Sequence, residues 1–169
     1  MTDNEPLLES IKLTPIGIIH TPFTSRKGMP VQPRGGEGVE GTIVVRPDYT
    51  DGLADVENFS HLILLFHLHQ ATGYSLKVTP FLDDCLRGVF ATRAPRRPNP
   101  IGLSIVELIK RQKNVLHIRG VDMLDNTPLL DIKPYVPAFD IVQVSSVGWL
   151  EGKETEAVTK KADERFKKK

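Results

Sequence analysis

Residues 91–104, ATRAPRRPNPIGLS, bring Arg93, Arg96, Arg97 and Asn99 together among Pro95, Pro98 and Pro100. A guanidinium is a planar, permanently charged donor fork that pairs two-pronged with carboxylate or phosphate. Proline fixes φ, lacks an N–H and pushes the preceding residue toward extended backbone, so this stretch is a stiff loop and not a helix. A loop with little entropy to lose can hold cations in fixed directions for an anionic ligand. The plainer reading is a solvated basic turn. No acidic residue lies inside the loop to neutralise it.

Two further sets can do chemistry. His67 and His69 stand two apart, a spacing that metal-binding barrels use, but no acidic or cysteine companion clusters beside them in the sequence, so histidines satisfied within the protein are the alternative. Asp131, Lys133 and Tyr135 alternate along an extended segment as an acid, a base and a phenol. Such a row is an ordinary cross-strand charge pattern unless it borders a cofactor, where it becomes a candidate catalytic set.

The elements that must position these groups read as strands. Residues 16–19 are β-branched around Gly17, which predicts a strand with a close backbone neighbour. Residues 25–38 hold five glycines and prolines at 28, 30, 33, 35 and 36 besides Gly38, and form a loop with Gln32, Pro33 and Arg34 in its middle. Residues 41–45 are a strand, followed by a short helical candidate over 48–54. Residues 60–70 alternate His61, Ile63, Leu65, His67, His69 against Leu62, Leu64, Phe66, Leu68, Gln70. Both faces are largely apolar, which predicts a central strand.

Residues 76–81 and 88–93 are shorter extended pieces. Lys113-Asn114 turns a hairpin between 101–109 and 115–120, and 124–128 is a second turn before a last strand over 129–135. The expected fold is all-β, mainly antiparallel: a small β-barrel with short helices and a C-terminal helical tail. Its organisation is a disordered lead-in over 1–11, a barrel over 12–140 and an extension over 141–169.

The chain of 169 residues suits one domain with a real core, and its formal charge of +1 argues against gripping nucleic acid with the whole surface. The single cysteine, Cys85, allows no intramolecular disulfide, no apolar run reaches membrane-spanning length, and the acidic start does not read as a signal peptide. A cytoplasmic setting with no membrane contact is expected. No strand-GxGxxG-helix unit or P-loop is present, so a nucleotide-like cofactor must be held by barrel loops.

The arginine-proline loop, together with VDMLDNTPLLDIKPYVP (121–137), PIGIIHTPF (15–23), Gln32-Pro33-Arg34 and FSHLILLFHLHQ (59–70), resembles the signature of the TrmO family, in family order over 15–137. The resemblance implies a β-barrel enzyme that is a homodimer and uses S-adenosyl-L-methionine to methylate N6 of threonylcarbamoyladenosine at position 37 of tRNA. It assigns to the cofactor Gln32, Pro33, Arg34, His69, Gln70, Arg93, Leu103, Leu124, Asp125, Asn126 and Thr127. Within that set Arg34 and Arg93 suit the α-carboxylate, Asp125 with the turn amides of Asn126 and Thr127 suits hydroxyls or ammonium, and Leu103 with Leu124 suits apolar walls.

The sulfonium is already a strong electrophile, so catalysis rests mainly on positioning, with a base or polar anchor sought among Asp131, Lys133 and Tyr135. Arg96, Arg97 and Asn99 are candidates for the tRNA phosphate or the substrate's threonyl carboxylate. Alternatives are the same cofactor with another acceptor and a non-catalytic RNA-binding β-barrel, which would display aromatic stacking platforms.

Overall fold

The computed structural model describes residues 10–30, 36, 38–153, 156 and 162. Eight strands run β1 (Gly17–His20), β2 (Glu40–Val45), β3 (His61–His67), β4 (Lys77–Val78), β5 (Arg87–Gly88), β6 (Ile101–Gln112), β7 (Val115–Arg119) and β8 (Thr127–Pro134). Six of them close into a barrel in the order β1-β2-β7-β6-β3-β8, and every neighbouring pair is antiparallel. The mainly antiparallel barrel expected from the sequence is therefore the fold.

Alternation fills its interior. Ile19, Ile43, Val45, Leu62, Leu64, Phe66, Val106, Leu116, Ile118 and Leu129 point inward and are buried, as a small barrel without a lumen requires. Gly17 meets the close neighbour predicted for it: a Cβ there would lie 2.6 Å from the Val44 carbonyl oxygen. Lys113 takes a left-handed φ of 57° in the β6–β7 hairpin, and Asn126 one of 59° in the turn before β8.

Four expectations shift. Strand β3 ends at His67, because the N–H of His69 turns back to the carbonyl of His67 (2.8 Å) and that of Ala71 to Leu68 (2.8 Å), so His69 and Gln70 lie in a turn. Its two apolar faces differ: Leu62, Leu64 and Phe66 are buried, while Ile63 and Leu65 are only half-buried on the outer wall. The expected strand over 88–93 is mostly a 3₁₀ turn, Val89–Ala91, closed by the Thr92 hydroxyl donating to the Val89 carbonyl (2.9 Å). The candidate helix over 48–54 is a 3₁₀ helix, Pro47–Leu53.

Strands β4 and β5 form a separate two-stranded hairpin with its own small core of Val78, Val89 and Ala94. The chain returns to this lobe after β8 and helix α1 (Pro137–Asp140). Trp149 donates its indole N–H to the Ala91 carbonyl (2.7 Å) beneath Arg87, and Arg87 and Lys153 both meet Asp83, at 2.7 and 3.2 Å. The Arg87 hydrogen bond leads in holding the Asp83 carboxyl down to about 2. Of the extension expected to be helical over 141–169, residues 141–153 carry only the 3₁₀ turn Gly148–Leu150, while most of the rest, like residues 1–9 of the expected disordered lead-in, lies outside the described residues. Among the described residues no helix is long and apolar enough to cross a membrane.

Candidate functional site

A cavity of about 350 Å³ opens at the end of the barrel where β3 stops and β6 starts, between the barrel and the lobe. That size is within the usual range for a small-molecule site. Three separate segments supply it because antiparallel closure brings the end of β3, the start of β6 and the turn before β8 together: Phe66 pairs with Gly102 on one side and Leu129 on the other.

Of the residues singled out in the sequence, His69, Gln70, Arg93, Leu103, Leu124 and Thr127 line this cavity, as does Arg97. Thr127 donates its hydroxyl to the Leu124 carbonyl (2.7 Å) and stands 3.4 Å from His69 Nδ1, so the two segments are laced together. Burial, then the neighbouring His67, lowers the pKa of His69 below its ordinary value and favours the neutral imidazole. The Gln70 carbonyl accepts a hydrogen bond from the Arg26 guanidinium, which joins the loop after β1 to the same rim.

Asp125 and Asn126 do not line the cavity but fix its frame. Asp125 Oδ1 accepts from the Thr21 N–H (3.1 Å) and lies 3.2 Å from His20 Nδ1, while Asn126 donates to Asp125 Oδ2 (2.8 Å). Partial burial works to raise the Asp125 pKa, but these hydrogen bonds outweigh it and hold the carboxylate below its usual range. Gln32, Pro33 and Arg34 lie outside the described residues.

The arginine loop divides its cations. Arg97 donates to the carbonyls of Thr92 (3.0 Å) and Ala94 (3.3 Å), the residues on either side of Arg93, and so braces the loop while it faces the cavity. Arg96 Nε is buried and makes no hydrogen bond among the described residues, whereas Asn99 is exposed. Asp131, Lys133 and Tyr135 are not brought to this cavity. A bulge at Leu130 lets Phe66 pair with Leu129 and Leu65 with Asp131, which puts Ile132 inward and Asp131 and Lys133 on the outer wall beside Leu65 and Ile63. There they form a 2.7 Å ion pair exposed to solvent, and Tyr135 packs edge-on against His61, ring centroids 6.4 Å apart.

Sequence reasoning gave no role to Asp122 and Ser104, which both line the cavity. Ser104 is 1% exposed and donates to Asp122 Oδ1 at 2.5 Å. Burial pushes the Asp122 carboxyl up to about 6, against the opposing pull of the Ser104 hydrogen bond and the Arg93 charge. The signal was in the alternation: Ser104 occupies an inward position of β6 between Gly102 and Val106, where a lone hydroxyl needs a partner.

Comparisons with known proteins supply the family. The chain is 54% identical over 137 residues to a "probable S-adenosyl-L-methionine-binding protein" of Pyrococcus abyssi, covering 81% of this chain and 74% of that one. It is 38% identical over 154 residues to the mouse "tRNA (adenine(37)-N6)-methyltransferase", covering 85% of this chain and 35% of the relative. The crystal structure of TrmO from Pseudomonas aeruginosa superposes with a TM-score of 0.70 at 38% identity, covering 83% of this chain and 63% of that one. The chain thus spans well under two thirds of the mouse enzyme and somewhat under two thirds of the solved bacterial chain. Residues 18–141 match the family model of the tRNA-methyltransferase O N-terminal domain, and with the closed barrel and its loop-built cavity this places the chain in the TrmO family.

Proposed function

We propose that this protein is an S-adenosyl-L-methionine-dependent methyltransferase acting on N6 of threonylcarbamoyladenosine at position 37 of tRNA. The observation that carries the reading is convergence. His69, Gln70, Arg93, Leu103, Leu124 and Thr127, taken from three distant stretches on the strength of the family resemblance, line one cavity. The donor set suits the cofactor: Arg93 can meet its α-carboxylate, the carbonyls and hydroxyls of the turn at 124–127 its polar groups, and Phe66, Leu103 and Met123 its apolar parts. Bound there, the cofactor supplies an electrophilic methyl group. Asp125 and Asn126 serve by holding the turn at 124–127 in shape.

The acceptor side falls to the arginine loop. Among the described residues the Arg96 Nε makes no hydrogen bond, and the Arg96 guanidinium on this loop suits a tRNA phosphate or the threonyl carboxylate. Arg97 and Asn99 flank the same approach. A homodimer belongs to the same proposal. Ile101, Leu103 and Ile105 on the outer wall of β6 are each more than a third exposed, beside half-buried Ile63 and Leu65, an apolar stripe that a second copy would cover. A cytoplasmic site of action follows from tRNA as the substrate.

Calorimetry with S-adenosyl-L-methionine and the full chain tests the cofactor, and mass spectrometry of tRNA nucleosides from cells lacking the protein tests the acceptor. Binding that Arg93→Ala weakens by about tenfold, ~1.4 kcal/mol, and loss of the N6-methyl form of the threonylcarbamoyl nucleoside are expected. No binding, or an unchanged nucleoside profile, refutes the reading.

A further inference from the structure

The mechanism needs somewhere for a proton to go. N6 of the acceptor carries hydrogen and its lone pair is delocalised into the ring and the carbamoyl group, so a nearby acceptor for that hydrogen raises its nucleophilicity as the new bond forms. Asp131, Lys133 and Tyr135 do not line this cavity. Among the described residues lining it, the charged or titratable side chains are Arg26, His69, Arg93, Arg97 and Asp122, and Asp122 is the one carboxyl group.

Its setting is built. Ser104, at an inward-facing position of β6 and 1% exposed, spends its hydroxyl on Asp122 Oδ1 at 2.5 Å. That bond restrains the rotation of the carboxyl at the cavity wall. Asp122 is part-buried at the cavity wall, where losing water disfavours the charged carboxylate, a cost that an apolar residue at position 122 would not carry. The expense marks a functional group, and Arg93 nearby keeps the anion accessible. His69 is the poorer base, since its surroundings disfavour the charged imidazolium.

Resting on the function proposed above, we propose that Asp122, oriented by Ser104, accepts the proton that the adenosine N6 releases during methyl transfer. The electron pair on N6 forms the new N–C bond while the C–S bond breaks with its pair retained by sulfur, which becomes a neutral thioether. The N6–H pair stays on nitrogen, and the proton passes to the Asp122 carboxylate and then to water. Asp122 is the catalytic residue in this scheme and Ser104 a positioning residue.

Single-turnover methylation by the full chain, with saturating S-adenosyl-L-methionine and tRNA carrying the threonylcarbamoyl nucleoside, tests it. A wild-type chain that does not methylate this tRNA refutes the underlying function, separately from the role of Asp122. With an active wild type, Asp122→Asn is expected to slow the methyl step by about 100-fold or more while calorimetric affinity for S-adenosyl-L-methionine stays within about threefold. The wild-type rate is expected to fall on the acid side of about pH 6. Ser104→Ala removes the hydrogen bond that favours the carboxylate, so this acid limb moves to higher pH, a change that a merely structural serine would not produce.

A ¹³C NMR titration of the Asp122 carboxyl in the ligand-free protein reads the same displacement without any activity, and it stands even where Asp122→Asn does not fold. Three results overturn the proposal: an Asp122→Asn enzyme within about threefold of wild type, a more than about tenfold loss of cofactor affinity in that variant, which assigns the carboxylate to cofactor binding, or an acid limb that Ser104→Ala leaves in place.

Discussion

Gly102 sits on β6 directly across from Phe66 of β3, and both wall the cavity. A Cβ added at Gly102 would lie 2.2, 2.5 and 2.8 Å from Cε2, Cζ and Cδ2 of the Phe66 ring, where carbons ordinarily settle at about 3.5–4.0 Å. The ring must therefore move by roughly an ångström or more. It has nowhere easy to go, since Phe66 is 4% exposed and packed into the barrel core. Overpacking of this kind costs about 1–3 kcal/mol. For a chain of this size each kcal/mol lowers Tm by about 2–4 °C, so Gly102→Ala should melt roughly 2–12 °C below wild type.

Because the displaced ring is also cavity wall, affinity for S-adenosyl-L-methionine should fall with it. Gly88→Ala is the control: nothing lies within 4 Å of its Cβ and its φ is −60°, so it should be neutral or slightly stabilising, by up to about 1 kcal/mol. Thermal melts followed by circular dichroism, with calorimetry beside them, read both effects. Trimming the ring with Phe66→Leu should recover part of the Gly102→Ala loss, a coupling that independent sites would lack. A Gly102→Ala protein that melts with wild type and binds as well, or a double variant whose losses simply add, refutes the steric argument.

Arg97→Ala should weaken cofactor binding as well as RNA binding, each by about tenfold, because Arg97 braces the two carbonyls that flank Arg93. Arg97→Lys should repair little of this, since an ammonium lacks the planar fork, and calorimetry showing unchanged cofactor affinity in both variants would mean the loop is held by other contacts. The lowered pKa of His69 gives a signed pH effect. Below the ordinary value of 6.5 the unfolded chain takes a proton that the folded chain resists, so this residue makes stability fall with pH from about 6.5 down through its folded pKa. Denaturant melts of wild type minus His69→Gln isolate that slope from the opposite contribution of Asp122, and a difference curve flat between pH 7 and 5 would show that His69 titrates normally.

The parts of the fold governed by local rules were legible in the sequence. Gly17 announced a close backbone approach, and Lys113-Asn114 announced a hairpin. Period-two alternation also separated Leu62, Leu64 and Phe66 from Ile63 and Leu65, although it did not show that only one set would be buried. What resisted reading depends on a partner strand. The bulge at Leu130 decides which residues of β8 face inward, and nothing between Leu129 and Tyr135 reveals it, so the sequence left open whether Asp131, Lys133 and Tyr135 border the cavity or form a cross-strand charge pattern. Asp122 was missed for a related reason. Its partner Ser104 is distant in sequence and joins it only when β6 and the turn before β8 meet, and a carboxylate becomes unusual only once its burial is known. That Arg97 also braces two carbonyls of its own loop was not legible either, because three arginines look alike on paper.

Ala162, near the far end of the chain, is buried against the cavity and exchanges main-chain hydrogen bonds with the loop after β1: the Gly28 N–H donates to its carbonyl (3.1 Å) and its own N–H to the Met29 carbonyl (2.8 Å). The mouth of the cavity is thus finished by a residue that the barrel does not contain. Both bonds run through the peptide groups of Ala162, so proline at that point would delete the donor to Met29 and unfasten this corner of the mouth from the loop after β1.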